Sequence, residues 1–91
     1  MPNYMVERYL PNITPEQLTA AATRAKNTTA QMTLEGTPVR YLRSIFVPSE
    51  EKCFCLFEAP SLDAVKEANL RAEIPFERVV ESMQIASEDL T

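Results

Sequence analysis

Histidine is missing from all 91 residues. Its absence removes the commonest general base, the side chain that titrates near neutral pH and the commonest transition-metal ligand. Glycine occurs once, as Gly36, so the chain has no Gly-rich loop to cradle a phosphate. Nine basic residues stand against thirteen acidic ones, for a net charge of −4. With no Lys or Arg run, the electrostatic footprint needed for a phosphate backbone is lacking, and nucleic acid is not an expected partner. No apolar stretch approaches the ~20 residues that span a bilayer. The start, "MPNYMVERYL", lacks a basic segment followed by a long apolar core. The expected location is cytoplasmic, with no membrane partner.

A 45% apolar and 24% charged composition is that of a folding chain. The expected organisation is a single domain, residues 1–91, with its core over about 3–86 and a frayed tail at 87–91. A domain this small buries only about 60% of its unfolded surface, which favours self-association.

"NYMVERYL" (Asn3–Leu10) alternates Tyr4, Val6 and Arg8 with Met5, Glu7 and Tyr9, predicting a first strand that ends at Pro11. Thr14, Pro15 and Gln17 form a capping box with proline at the first helical position, and Ile13 and Leu18 are spaced as a hydrophobic staple. The predicted helix carries Leu18, Ala21, Ala22, Ala25, Thr29 and Met32 on one face and stops at Gly36. "VRYLRSIFV" (Val39–Val47) and "KCFCLFE" (Lys52–Glu58) read as a hairpin. A second helix starts after Ser61, with Leu62, Val65, Ala68 or Asn69, and Ala72 inward, and breaks at Pro75. "ERVVESMQIA" (Glu77–Ala86) is the last strand.

The order βαββαβ predicts an α+β, ferredoxin-like sandwich: a four-stranded antiparallel sheet with both helices on one face. Its other face is not cleanly polar. Tyr4 and Val6 oppose Met5 and Tyr9, and simple alternation sets Leu42 and Phe46 against Tyr41 and Ile45. A solvated antiparallel face alternates more sharply, so a symmetric homodimer packed sheet to sheet is expected.

In order along the chain, "YMVERYLPNITPEQL", "VRYLRSIF", "KCFCLFEAP" and "IPFERV" resemble the domain of unknown function 4242 family, small bacterial ferredoxin-like proteins with a nickel-binding member. The resemblance runs from Tyr4 to about Ile85. It implies a ferredoxin-like dimer and a divalent transition metal, nickel, as the candidate cofactor. It also implies histidines at positions held here by Arg43 and Ala68, and a guanidinium repels a divalent cation where alanine offers no lone pair.

The candidate ligand-binding residues are Glu7, Tyr41, Arg43, Cys55 and Glu81, with no catalytic residue assigned. Glu7 and Glu81 would supply oxygen ligands or proton acceptors, Cys55 a soft ligand and Arg43 an anion anchor beside Tyr41. The structural alternative makes Glu7, Arg43 and Glu81 an interface ion-pair network and the cysteines buried small hydrophobes. Cys53 and Cys55, at i and i+2, share a strand face with Cα atoms near the ~6.8 Å limit, so a bridge between them is not expected. A reactive thiolate needs a cationic neighbour; Lys52 points away, and Arg43 qualifies only if the hairpin register allows it. No second Cys or His pair exists for zinc.

The expected function is a non-catalytic dimer that binds a small ligand or metal ion weakly. The alternatives are a cofactor-free dimeric α/β-barrel enzyme, monooxygenase- or isomerase-like, and a protein-interaction module. An enclosed pocket of ~300 Å³ where a carboxylate and an arginine converge would favour the enzyme, and a filled interior the binding role.

Overall fold

The computed structural model describes all residues, 1–91. The elements are β1 (Asn3–Tyr9), α1 (Pro15–Leu34), β2 (Arg40–Val47), β3 (Lys52–Glu58), α2 (Leu62–Arg71), β4 (Arg78–Ser82) and a terminal 3₁₀ turn at Ser87–Asp89. The sheet order β2-β3-β1-β4, every neighbour antiparallel, is the ferredoxin-like arrangement. β1 lies in the middle and carries the deepest side chains.

Helix α1 begins where its capping box directs. The Thr14 hydroxyl accepts from the Gln17 N–H at 3.1 Å, and the Gln17 side chain accepts from the Thr14 N–H at 2.9 Å. Ile13 and Leu18 pack against the core. At the far end Gly36 takes φ 108°, while Thr37 N–H reaches the Met32 carbonyl and Gly36 N–H the Thr33 carbonyl. That pair of bonds satisfies carbonyls the helix leaves open.

Helix α2 stops before the proline expected to break it. Ala72 caps it, and Glu73 adopts φ 56° so that Ile74 N–H can bond the Asn69 carbonyl. The same closing pattern is built there on a residue with a Cβ. The last strand is shorter than the expected Glu77–Ala86: β1 begins at Asn3, opposite Ser82, so residues beyond Ser82 have no strand to pair with.

Between β2 and β3 a bulge at Leu42 lets Tyr41 pair with Phe57 and Arg43 with Leu56. One extra residue reverses the side-chain parity on either side of it. Tyr41, Ser44 and Phe46 therefore face the helices, while Arg43 and Ile45 face the other way. This corrects two expectations drawn from simple alternation, that Tyr41 opposes Phe46 and that Tyr41 stands beside Arg43 on one face.

The helix-side core holds Tyr4, Val6, Cys53, Cys55, Phe57 and Val79 from the sheet. From the helices come Ala21, Ala25 and Met32, then Ala64, Val65 and Ala68. The alanines let the helix axes lie close to the strands. On the open face Met5, Phe54, Leu56 and Val80 are half-buried, and Ile45 is 58% exposed.

Candidate functional site

A guanidinium lies in the middle of this core. Arg8 alternates in phase with Tyr4 and Val6 on β1, which turns it toward the helices, and only 2% of it is exposed. Burying a charge without a counter-charge is costly, yet no carboxylate bonds it. Its partners are the Asn69 Oδ1 at 2.5 Å, the Pro75 carbonyl at 3.2 Å and, from Nε at 3.3 Å, the sulfur of Cys55.

Cys55 is surrounded by donors. Besides Arg8, the Ser44 hydroxyl lies 3.0 Å from its sulfur and the Cys53 thiol 3.7 Å away. The Tyr41 hydroxyl is 2.6 Å from that of Ser44. A guanidinium only donates, and at Ser44 and Cys53 either partner can donate, so the sulfur is placed to accept all three contacts. That arrangement suits a thiolate. Among the three partners of Arg8, only Cys55 can ionise, so charge neutrality argues the same way.

The titration directions agree with this geometry. The Cys53 thiol's hydrogen bond, followed by the Arg8 charge and the Ser44 hydroxyl, holds Cys55 well below the usual thiol range against the upward push of burial. Cys53 is driven upward by its bond to Cys55 and by burial. Two thiols in contact do not both ionise, and Cys55 is the one that touches Arg8 and Ser44. Burial raises Tyr41, which keeps its hydroxyl protonated at neutral pH. Both cysteines are free.

A cavity of about 30 Å³ adjoins the sulfurs. Arg8, Tyr41, Ser44, Cys53 and Cys55 line its sheet side, and Leu18, Ala21, Ala22 and Ala25 of α1 lie opposite. It holds one or two water-sized molecules. It is also about a tenth of an enclosed ~300 Å³ substrate chamber, and no carboxylate lines it.

The five residues singled out from the sequence do not converge. Cys55 and Tyr41 belong to this buried cluster. Glu7 points to the open face, where Arg78 Nε at 2.6 Å and Lys52 Nζ at 3.4 Å grip its carboxylate. The Arg78 hydrogen bond, then that of Lys52, holds Glu7 below the usual carboxylate range. Arg43 is exposed on the same open face, opposite Leu56 on the neighbouring strand. Glu81, paired with Tyr4, is exposed on the helix side at the sheet edge. No Glu7–Arg43–Glu81 network forms, because Glu81 lies on the opposite face from the other two and strand β3 stands between Glu7 and Arg43. Arg43 is not the cation beside Cys55 either.

The residues that complete the cluster, Arg8, Ser44, Cys53 and Asn69, had a weak sequence signal. Arg8 shares the parity of Tyr4 and Val6, and Asn69 sits on the inward face of α2.

The profile of a family described as nickel responsive protein SCO4226-like matches residues 4–81. The chain belongs to this family. Among solved structures, SCO4226 from Streptomyces coelicolor A3(2) superposes with a TM-score of 0.78 at 22% identity, covering 92% of this chain and 99% of that one. At that identity the likeness shows a shared fold. No curated protein matches the chain.

The family's description raises nickel, and the side chains here do not fit it. No three or more Cys, Asp or Glu side chains lie close enough together to hold a metal ion. The best oxygen donor, Glu7, is occupied by two cations, and the best sulfur donor, Cys55, is held by a third.

Proposed function

We propose that this chain is a non-catalytic small-ligand-binding protein that works as a symmetric dimer, two copies meeting through the open face of the sheet. The lack of a large closed chamber is the observation that carries the reading: the cavity beside the cysteines is about 30 Å³, and the groove of about 620 Å³ between α1 and β2, which Arg40 and Glu58 line, is open to solvent. Neither space is the enclosed chamber that the substrate of an α/β-barrel monooxygenase or isomerase would need.

The open face supports the dimer. Met5, Phe54, Leu56, Val80 and Ile45 form an apolar field, with Arg43, Arg78 and Lys52 at its margin beside Glu7 and Glu58. A two-fold contact sets one such face against its copy, so charges of both signs can meet opposites as the apolar centre is covered. Of the five candidate residues, Cys55 and Tyr41 face the ligand space, and Glu7 and Arg43 belong to the contact between copies. Glu81 has no role in this reading.

Nickel enters through the family description alone. One chain brings no set of three donors together, so a nickel ion would draw on more than one copy and be held weakly. Placement in the domain of unknown function 4242 group, suggested by the sequence motifs, is compatible with this and forms part of the proposal.

Sedimentation across a dilution series, with nickel calorimetry on the same material, tests the reading. A dimer that gives little heat with nickel is expected. A monomer throughout would remove the assembly, and tight nickel uptake by a monomer would overturn the account of its ligands.

A further inference from the structure

We propose that Cys55 is a peroxide-sensitive thiol, set in a buried Arg8–Cys55–Ser44 site whose adjoining cavity is sized for hydrogen peroxide. The inference uses the pocket already assigned to a small ligand. It does not depend on dimerisation.

Several independent features bear on it. A buried guanidinium with no carboxylate partner directs Nε at the Cys55 sulfur. A hydroxyl pair, Ser44 and Tyr41, leads away from that sulfur. The cavity touching both cysteines has room for a molecule of two oxygen atoms and excludes bulky disulfides or alkylating reagents. There is also a short way in. A surface groove of about 430 Å³ shares Leu10, Ala21 and Ile74 with the cavity, so the two spaces adjoin across these apolar side chains.

The chemistry balances without a cofactor. The Cys55 thiolate attacks one oxygen of hydrogen peroxide, an S–O bond forms as the O–O bond breaks, and Cys55 becomes a sulfenic acid. Sulfur is oxidised by two electrons and the peroxide is reduced. The second oxygen leaves as hydroxide and takes a proton along the Ser44–Tyr41 pair, which solvent replenishes at the half-buried tyrosine, to give water. Arg8 donates toward the reacting centre throughout, the role that fixed cations play at such sites. The oxidation is stoichiometric, a chemical signal that a thiol reductant would erase.

The test exposes the folded full-length protein to hydrogen peroxide, removes the excess, then unfolds it in urea containing dimedone and maps the modified cysteine by peptide mass. The expected product is a dimedone adduct on Cys55. Cys53→Ser, which cannot form a bridge, should still give the Cys55 adduct.

Rate against pH is the second readout. Oxidation of the folded protein should change less than about twofold between pH ~6 and ~8, because the thiolate is already formed. In urea the same cysteine should change by roughly tenfold per unit, following its thiolate fraction. A disulfide reagent of aromatic size should react more slowly with the folded protein than with the unfolded one.

A folded chain that gives no Cys55 adduct in either form, or whose oxidation follows the steep profile of the unfolded chain, overturns the proposal. Because this readout is oxidation and that for assembly is sedimentation, either reading can fail without the other.

Discussion

Replacing Arg8 by methionine keeps most of the side chain's apolar length and removes its charge and donors. Three buried contacts go at once, to Cys55 Sγ, to Asn69 Oδ1 and to the Pro75 carbonyl. A buried acceptor left without its donor costs about 1–3 kcal/mol, and Asn69 and Pro75 each lose one. Removing one partner of a buried ion pair costs ~3–5 kcal/mol when the other stays charged. Cys55 can escape that penalty by taking up a proton, which turns the sulfur into a small hydrophobe. The net loss expected for Arg8→Met is therefore about 2–4 kcal/mol, against a total stability of ~5–14 kcal/mol for a chain this size. The variant should stay folded with a clearly lower urea midpoint and an unchanged slope. The first of its two thiols should also titrate at the ordinary thiol pH or above. If Arg8→Met unfolds at the wild-type urea concentration, Arg8 is a solvated stem and the ion-pair reasoning is wrong.

Stability should follow the cysteines with pH. A depressed Cys55 stabilises the fold fully above the unfolded thiol's ~8.5, and that contribution is lost as pH falls toward about 5. The raised Cys53 acts in the opposite sense above ~8.5, where unfolding would release its proton. Urea midpoints should therefore climb from about pH 5 to 8 and turn down beyond; a midpoint that falls across that interval contradicts both assignments. Gly36 at φ 108° has open space where a Cβ would sit, so Gly36→Ala should cost only the left-handed penalty, ~1 kcal/mol. Glu73→Gly, at φ 56°, should raise stability by up to about 1 kcal/mol, and thermal melts of the pair check the two signs together. Leu56→Glu, in the middle of the open face, should shift the sedimenting species to a monomer without lowering helix content.

The fold was written in short-range signals. Thr14, Pro15 and Gln17 mark one helix start and Ser61 another, and the lone glycine marks a helix end. Strand β1 was legible because Tyr4, Val6 and Arg8 alternate without interruption. Strand β2 was not, since the bulge at Leu42 has no glycine or proline to announce it and reverses the parity of the residues beside it. The site suffered accordingly: Arg43 was assigned beside Tyr41, whereas Ser44 holds that place. Arg8 looked like one more surface cation because its partners come from β3, α2 and the loop before β4, more than forty residues away in sequence. Its role depends on cross-strand register, set by the whole hairpin rather than by any local pattern.

The central claim is that Cys55 is ionised beside Arg8 in the folded protein. Ultraviolet thiolate absorbance of the native chain, followed from acid to alkaline pH and compared with the same chain in urea, tests it most directly. One thiolate per chain should already be present at pH ~6–7, with the second appearing only far into alkali. Two thiols that both stay protonated until about pH 8 or above, as in the unfolded chain, would contradict it.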